Sequence, residues 1–297
     1  AKVTGTFRGV PGTFNCATDC ISTHDKDGNL SDLTGDWTFE PDGLRDAQGA
    51  FLQDDSAATP PTTALTDALA AIMVPGVMQD PDYMIFGYWV QSMTDAEGDT
   101  TETMLPFADG KRDYGAVGAA RSGGQVVGTA TYTGPATGLY MKKTITPQGG
   151  VDPSGPYASG QFTADAMLEA SFGGDNVAVN DQFSISGTIS NFMDGDTAID
   201  SDWMVNLRRG INDQGNTDPT DDLPAKNIGG GTGATGTFSG VTHGGMLDDA
   251  SNEGAWSGTF HGDPAADQPT SASGIFDAHF TNGHVRGAFA TNIVEDE

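Results

Sequence analysis

The chain has 297 residues, of which 36% are hydrophobic and 42 are glycine, a composition typical of many tight turns and little helix. Acidic residues outnumber basic ones by 41 to 13, and the formal net charge is −28. A surface with this charge repels nucleic acid and anionic lipid, so neither is expected as a partner. No stretch approaches the roughly 20 apolar residues of a membrane helix, so no membrane span is predicted.

The two cysteines, Cys16 and Cys20, are separated by three residues. Such a pair can close a small disulfide loop, whereas a metal site would need further soft ligands and only His24 is nearby. We predict a Cys16–Cys20 disulfide rather than a metal site or free thiols. A disulfide implies an oxidising compartment.

Residues 1–122 are predicted to form a handle-like antiparallel β domain with one short helix. Strand-like pieces occur at Val3–Val10, Gly35–Glu40 and Tyr83–Gln91. Between them, Thr62–Met73 has apolar residues at helical spacing and is followed by Pro75-Gly76, which predicts a helix over 62–73. In the run Tyr83–Val90, apolar groups fall on both strand faces, which predicts a central strand buried on both sides.

The acidic stretch Asp25–Asp32 suggests two structures. Asp25, Asp27 and Asp32 could hold Ca²⁺, because carboxylates at alternate positions next to a glycine are what calcium loops use. The position of the bidentate Glu in an EF-hand, however, falls on Thr34, and an Asp-Gly-Asn hairpin turn explains the same residues. We favour the turn and keep Ca²⁺ as the alternative.

Residues 123–297 are predicted to form an eight-stranded antiparallel β-barrel, so the fold class is all-β. Short strands and turns alternate from Gln125 onward, and a meander of this kind closes because closure removes exposed edges. The nine candidate segments are Gln125–Thr133, Gly138–Thr146, Gly160–Phe172, Phe183–Phe192, Trp203–Arg209, Ala234–Gly240, Gly254–His261, Ser273–Phe280 and His284–Ala290.

Alternation within these segments predicts the barrel core. Along Gly160–Phe172, small and large apolar residues share one face, as the interior of a narrow barrel requires. A filled interior leaves the loops as the place for any ligand. The expected core residues are Phe162, Ala164, Leu168, Ile185, Ile189, Trp256, Phe260, Phe276, Phe280 and Phe289.

Acidic and histidine residues of this half are the other site candidates. Asp194, Asp196 and Asp200 form an acidic cluster that could hold Ca²⁺ weakly, although we favour a solvated loop between strands as the explanation. Haem or a metal would need two of His243, His261, His279 and His284 to converge. Because His261 and His279 alternate with apolar neighbours, we expect them to be exposed and without a partner.

Three segments near the C-terminus carry a family resemblance: Gly254–Pro264 with the pattern G-x-W-x-G-x-F-x-G, Ser273–Phe280, and Val285–Ala290. Two earlier segments, Gly128–Gly134 and Gly138–Tyr140, look like an opening hairpin. In these five segments the chain resembles the barrel domain of transferrin-binding protein B-like surface proteins. The resemblance implies an eight-stranded barrel beside a handle sheet. It also implies an extracellular or outer-surface location on a Gram-negative bacterium, and binding of host transferrin, haem-carrying proteins, haem or complement regulators.

No enzyme signature is present: there is no nucleophile elbow, phosphate loop, dinucleotide fingerprint or H-E-x-x-H. We therefore expect a non-catalytic binding protein at the cell surface whose partner is a protein or a small ligand. The alternative is a structural subunit of an extracellular layer or filament, or an adhesin, that self-associates through acidic, Ca²⁺-bridged loops. A carbohydrate-active enzyme has only the acidic residues in its favour.

Overall fold

A computed structural model of the chain describes 16 stretches, all of them strands or the turns that border strands. No helix lies within them, and none of the described residues belongs to a helix long and apolar enough to cross a membrane. The described residues are 1–7, 10–17, 20–24, 30–34, 37–41, 45–54, 63–64, 83–94, 98, 100–110, 129–143, 155–172, 184–208, 236–245, 253–262 and 269–294.

Two small sheets form the beginning of the chain. A three-stranded antiparallel sheet has the order β1-β2-β5, and a separate pair joins β3 to β4. The predicted disulfide between Cys16 and Cys20 is confirmed, with the two Cα atoms 5.8 Å apart. The strands are β1 (Lys2–Phe7), β2 (Val10–Cys16), β3 (Ile21–His24), β4 (Leu30–Thr34) and β5 (Trp37–Pro41).

A four-stranded antiparallel sheet follows, in the order β7-β6-β8-β9. Its strand β8 lies between two neighbours and is buried at Met84 and at every residue from Phe86 to Val90, which confirms the predicted central strand. Of the predicted helix, Thr63 and Ala64 form β7, and its other residues lie outside the described residues. The strands are β6 (Arg45–Asp54), β7 (Thr63–Ala64), β8 (Tyr83–Thr94) and β9 (Thr100–Gly110).

The rest of the described chain forms a closed eight-stranded antiparallel barrel, as predicted. Consecutive barrel strands pair with one another, and β10 pairs with β18 to close the circle. The short strand β13 (Thr197–Ala198) folds back onto the end of β12. The barrel strands are β10 (Thr129–Lys143), β11 (Tyr157–Ser171), β12 (Ser184–Asp194), β14 (Val205–Arg208), β15 (Thr237–Gly244), β16 (Glu253–His261), β17 (Ser271–Phe280) and β18 (Gly283–Ile293).

The expected break between the segments Gln125–Thr133 and Gly138–Thr146 is wrong, and with it the expected opening hairpin. The two segments on either side of it are one strand, β10, which pairs without interruption with β11. Only the ladder to β18 skips Gly134 and Pro135, because proline has no N–H to donate there. A glycine is needed beside it, since a Cβ at Gly134 would lie 2.1 Å from the carbonyl oxygen of Ala290. The nine predicted segments therefore make eight barrel strands.

The barrel interior is filled with apolar side chains. Along β11 the even-numbered residues from Phe162 to Ala170 are buried and the odd-numbered residues from Gln161 to Glu169 are exposed, as the alternation predicts. All ten residues named as the expected core belong to one buried cluster. Phe162 contacts Phe192 edge-on, with the ring centroids 5.1 Å apart. The middle of this barrel is therefore a packed core, and it leaves binding to the ends and the outer wall.

The four-stranded sheet packs against the outer wall of the barrel. Met84 and Phe86 of β8 are fully buried with Ala288 and Ala290 of β18. Farther along β8, Tyr88 and Val90 contact Leu139 of β10. Burial raises the pKa of Tyr88 to about 12, as expected for a phenol removed from water. One stretch of the outer wall is thus covered, and the ends of the barrel are the places to search for a site.

Candidate functional site

A groove opens at the end of the barrel where β10 finishes, β11 begins and β12 finishes. Lys143 lies opposite Tyr157 in the β10–β11 ladder, and β13 folds back beside Asp194. The groove encloses about 740 Å³, within the usual range for small-ligand sites of roughly 300–1,000 Å³. We call it the mouth groove, and it is lined by Tyr140, Lys142, Lys143, Ala158, Asp194 and residues 197–199.

Tyr140 and Asp194 form one wall of the mouth groove. The Tyr140 hydroxyl donates a hydrogen bond of 2.8 Å to a carboxylate oxygen of Asp194. Burial raises the pKa of Tyr140, and the hydrogen bond and the negative charge of Asp194 raise it further. Gly160 makes room for this pair, because a Cβ there would lie 2.8 Å from the same carboxylate oxygen. The wall thus presents a protonated phenol and an acceptor side by side.

Lys142 also lines the mouth groove, on the same face of β10 as Tyr140, and it pairs with Asp200. The Lys142 ammonium lies 3.1 Å from an Asp200 carboxylate oxygen and also donates to the Ile199 carbonyl. Asp200 accepts further hydrogen bonds from the Asp202 backbone N–H and the Asn282 side chain. Burial alone would raise the pKa of Asp200, but these hydrogen bonds and the Lys142 charge outweigh it and lower the pKa. The charge of Lys142 is therefore already balanced within the protein.

Aromatic rings of the barrel core contact Tyr140, which lines the mouth groove. Trp203 stacks on Phe280 with the ring centroids 4.4 Å apart and the planes nearly parallel. Its Nε1 donates a 2.8 Å hydrogen bond to Asn282 Oδ1, and the Tyr140 ring meets its edge at 6.4 Å. These contacts hold the lining groups on a rigid base, the arrangement that makes a binding site precise.

Lys143 lines the mouth groove, and Tyr157 lies next to it on the outer face of β11; we call this pair the rim. The Lys143 ammonium lies 4.7 Å from the centroid of the Tyr157 ring, within cation–π distance. Tyr157 is 55% exposed, so most of its surface is accessible to a ligand. The rim therefore offers a flat apolar surface beside a positive charge, on a chain whose net charge is −28.

The predicted calcium ligands lie in two separate places. Asp25 and Asp27 lie outside the described residues. Asp32 belongs to β4, which pairs antiparallel with β3, and this pairing is consistent with the favoured hairpin turn between the two strands. In the second cluster, Asp194 binds Tyr140, Asp200 binds Lys142, and Asp196 is exposed in the turn before β13. The Ca²⁺ site stays a prediction, while two of its carboxylates already have protein partners.

The histidine expectation is wrong for His261. Its side chain is 1% exposed, because β9 covers this part of the outer wall and a Cβ at Gly110 would lie 2.7 Å from His261 Nδ1. Its Nε2 lies 2.8 Å from the Ser273 hydroxyl oxygen. His279 is exposed, as expected, but it has a partner: the His284 ring stacks on it. Burial and the neighbouring His279 lower the pKa of His284, against the opposing effect of Asp277.

The sequence reasoning missed the mouth groove, although it placed binding at the loops. Tyr140 and Asp194 are 54 positions apart in the chain, and no local pattern links them. The missed histidine pair had a local signal. Thr281-Asn282 makes a two-residue connection between β17 and β18, and a hairpin turn of that length would have placed His279 opposite His284.

Comparisons with known proteins give a distant likeness of fold. No protein-family model matches the chain, and no curated protein matches it significantly. Among solved structures, intact Ap-TbpB with its N and C lobes matches with a TM-score of 0.36 and 14% identity, over 96% of this chain and 54% of that chain. Isotype 1 transferrin binding protein B from serogroup B Neisseria meningitidis matches with a TM-score of 0.31 and 13% identity, over 96% of this chain and 52% of that chain. The chain spans about half the length of these two structures.

Proposed function

We propose that this protein is a non-catalytic binding protein that holds its ligand in the mouth groove. The observation that carries the proposal is the groove itself: about 740 Å³ of space at the mouth of a barrel whose interior is filled. Rigid strands with variable connections at one end are a common arrangement for binding proteins. The proposal includes transferrin-binding protein B-like membership and a cell-surface or secreted location in a Gram-negative bacterium. The strand motifs support the membership, and the Cys16–Cys20 disulfide supports an oxidising compartment outside the cytoplasm.

The lining of the groove and the rim beside it indicate the chemistry of the ligand. The Tyr157 ring and the methylene groups of Lys143 suit a flat apolar part, and Asp194 can accept hydrogen bonds. Lys142 is neutralised by Asp200, so the groove is not built for a strongly anionic ligand. We therefore propose a polar, hydrogen-bonding ligand with one flat apolar face, either a small molecule or a segment of a partner protein.

Native mass spectrometry of the full chain, expressed in its own source organism, tests the proposal. The double variant Lys143→Ala, Tyr157→Ala removes the rim, and Glu169→Gln is the matched control because Glu169 is exposed on the outer face of β11. We expect the wild type and the control to retain a ligand or partner that the double variant loses. Equal retention by the double variant would place binding elsewhere and overturn the proposal.

The structural-subunit alternative stays a prediction that the same measurement addresses. Polymers that dissociate when a calcium chelator is added would support self-association through the acidic loops. Chelator-insensitive monomers carrying a ligand would support the binding protein.

A further inference from the structure

The hairpin of β17 and β18 brings two histidines and an aspartate together. His279 lies directly opposite His284 in the ladder, and their rings stack with centroids 4.5 Å apart and planes inclined by 24°. Asp277 precedes His279 by two positions and therefore has its side chain on the same face of the sheet. The ligand-type atoms of these three side chains all lie within 4.8 Å of one another.

This cluster lies on the outer wall of the barrel, not in the mouth groove. Phe276, Ala278 and Phe280 point into the core, so the intervening Asp277 and His279 point outward. His279 is exposed, while Asp277 and His284 are half-buried. The cluster is thus open to ions from solution, and two of its three members are partly sheltered from water. The inference from it does not depend on the proposed function.

The ligand set is selective. Two imidazole nitrogens and one carboxylate are ligands that zinc and similar transition metals prefer, whereas Ca²⁺ and Mg²⁺ take oxygen ligands. In a bound site each ligand atom lies about 2.0–2.2 Å from the metal, and side-chain rotation would bring the three atoms, now within 4.8 Å of one another, to that distance. Three protein ligands leave one position of a tetrahedral site for water or for a group from another molecule.

The abundance of acidic residues in the chain does not explain this cluster. Carboxylates are common in a chain with 41 acidic residues, but the chain has only five histidines. Two of the five stand face to face with a carboxylate beside them. Among the described residues, this is the group of three ligand-type side chains that meets the distance requirement.

We propose that Asp277, His279 and His284 form a binding site for a zinc-class divalent transition-metal ion. Arg286 lies opposite Asp277 in the ladder, and its positive charge keeps the affinity below that of a site built only from metal ligands. The site takes up the metal from solution and leaves one coordination position exposed on the barrel wall.

Zinc titration of the full chain tests this proposal. Calorimetry with Zn²⁺ is run in excess Ca²⁺ and about 0.5 M salt, so that the acidic surface is occupied and screened. Co²⁺ serves as a spectroscopic probe of the coordination. We expect one equivalent of Zn²⁺ to bind and the imidazole signals of His279 and His284 to shift in NMR spectra. We also expect a visible Co²⁺ spectrum typical of nitrogen and oxygen ligands.

Single variants decide which residues bind the ion. His279→Gln and His284→Gln should each weaken Zn²⁺ binding at least about tenfold. Even substitution of residues that only hydrogen-bond to a metal ligand lowers metal affinity roughly 10–100-fold. Asp277→Asn should weaken it as well, and Glu169→Gln should leave it unchanged. Unchanged affinity in both histidine variants, or displacement of Zn²⁺ by Ca²⁺, would overturn the proposal. Urea midpoints without metal establish that each variant is folded.

Discussion

Four side chains at the barrel mouth form one continuous line of hydrogen bonds. Lys142 binds Asp200, Asp200 accepts from the Asn282 amide, and the Asn282 carbonyl accepts from Trp203. Each contact is between residues far apart in the chain, so the line ties the 199–203 segment to both β10 and the β17–β18 turn. A polar network of this kind is stabilising only when every member is satisfied, which makes Asp200 its sensitive point.

Substitution of Asp200 by asparagine should produce a pH-dependent loss of stability. The folded protein lowers the pKa of Asp200 below the ordinary value of 3.8, so the unfolded chain binds the proton more readily. The stabilisation that the Asp200 carboxylate supplies is therefore fully present above about pH 3.8, and it is lost as the pH falls through the lowered pKa. Because the pair is partly exposed, we expect a difference of about 1 kcal/mol or less near neutral pH.

Urea unfolding of the wild type and Asp200→Asn between about pH 7 and pH 3 measures this effect. The difference in unfolding free energy should stay constant in the upper part of the range and shrink at its acid end. A difference that grows as the pH falls would show that the carboxylate is not stabilised in the folded state. The general effect of the net charge cancels in the comparison, since the variant changes one charge only.

At the scale of elements, β10 and β18 close the barrel through an unusually tight approach. Gly138 lies opposite Gly287, and the Phe162 ring covers both, 2.8 Å from a Cβ at Gly138 and 2.9 Å from one at Gly287. A large residue on β11 is thus accommodated by two residues without side chains on neighbouring strands. This exchange of large for small groups is what a narrow barrel needs to pack its interior.

Gly138→Ala should therefore weaken the closure of the barrel. The added Cβ would lie 2.0 Å from the Arg286 carbonyl oxygen and 2.6 Å from the Gly287 Cα, and these backbone atoms cannot move without disturbing the ladder. Overpacking of this kind typically costs about 1–3 kcal/mol or more. A fall of the urea midpoint checks the prediction, with Thr133→Ala on the exposed face of the same strand as control. Equal midpoints in the two variants would mean that β18 can shift away.

The elements themselves differ in how far the sequence reveals them. The alternation along β11 is local, and it correctly predicted which of its residues are buried. The predicted break around Gly134-Pro135 was wrong because both residues form turns readily in isolation. Here Gly134 allows the close approach of β18, and Pro135 lies at a gap in the ladder between β10 and β18. The burial of His261 could not be predicted, since the strand that covers it, β9, comes more than 150 residues earlier in the chain.

At the scale of the whole molecule, the barrel separates three surfaces that differ in their residues and exposure. One stretch of the outer wall is covered by the four-stranded sheet through Met84 and Phe86. Another carries the cluster of Asp277, His279 and His284, and the mouth carries the groove. The barrel was predictable because its strands are regular and its core alternates. The groove was not, because it exists only after β11 and β12 pair and bring Asp194 to Tyr140.

The central claim is that the ligand binds in the mouth groove, and site-specific photo-crosslinking tests it most directly. A photoreactive amino acid is placed at Ala158, which is exposed and lines the groove, or at Glu169, which is exposed on the outer face of the same strand. The full-length protein is then irradiated in cultures of its source organism. We predict a crosslinked ligand or partner from position 158 and none from position 169. A product from position 169 alone, or equal products from both positions, would contradict the account.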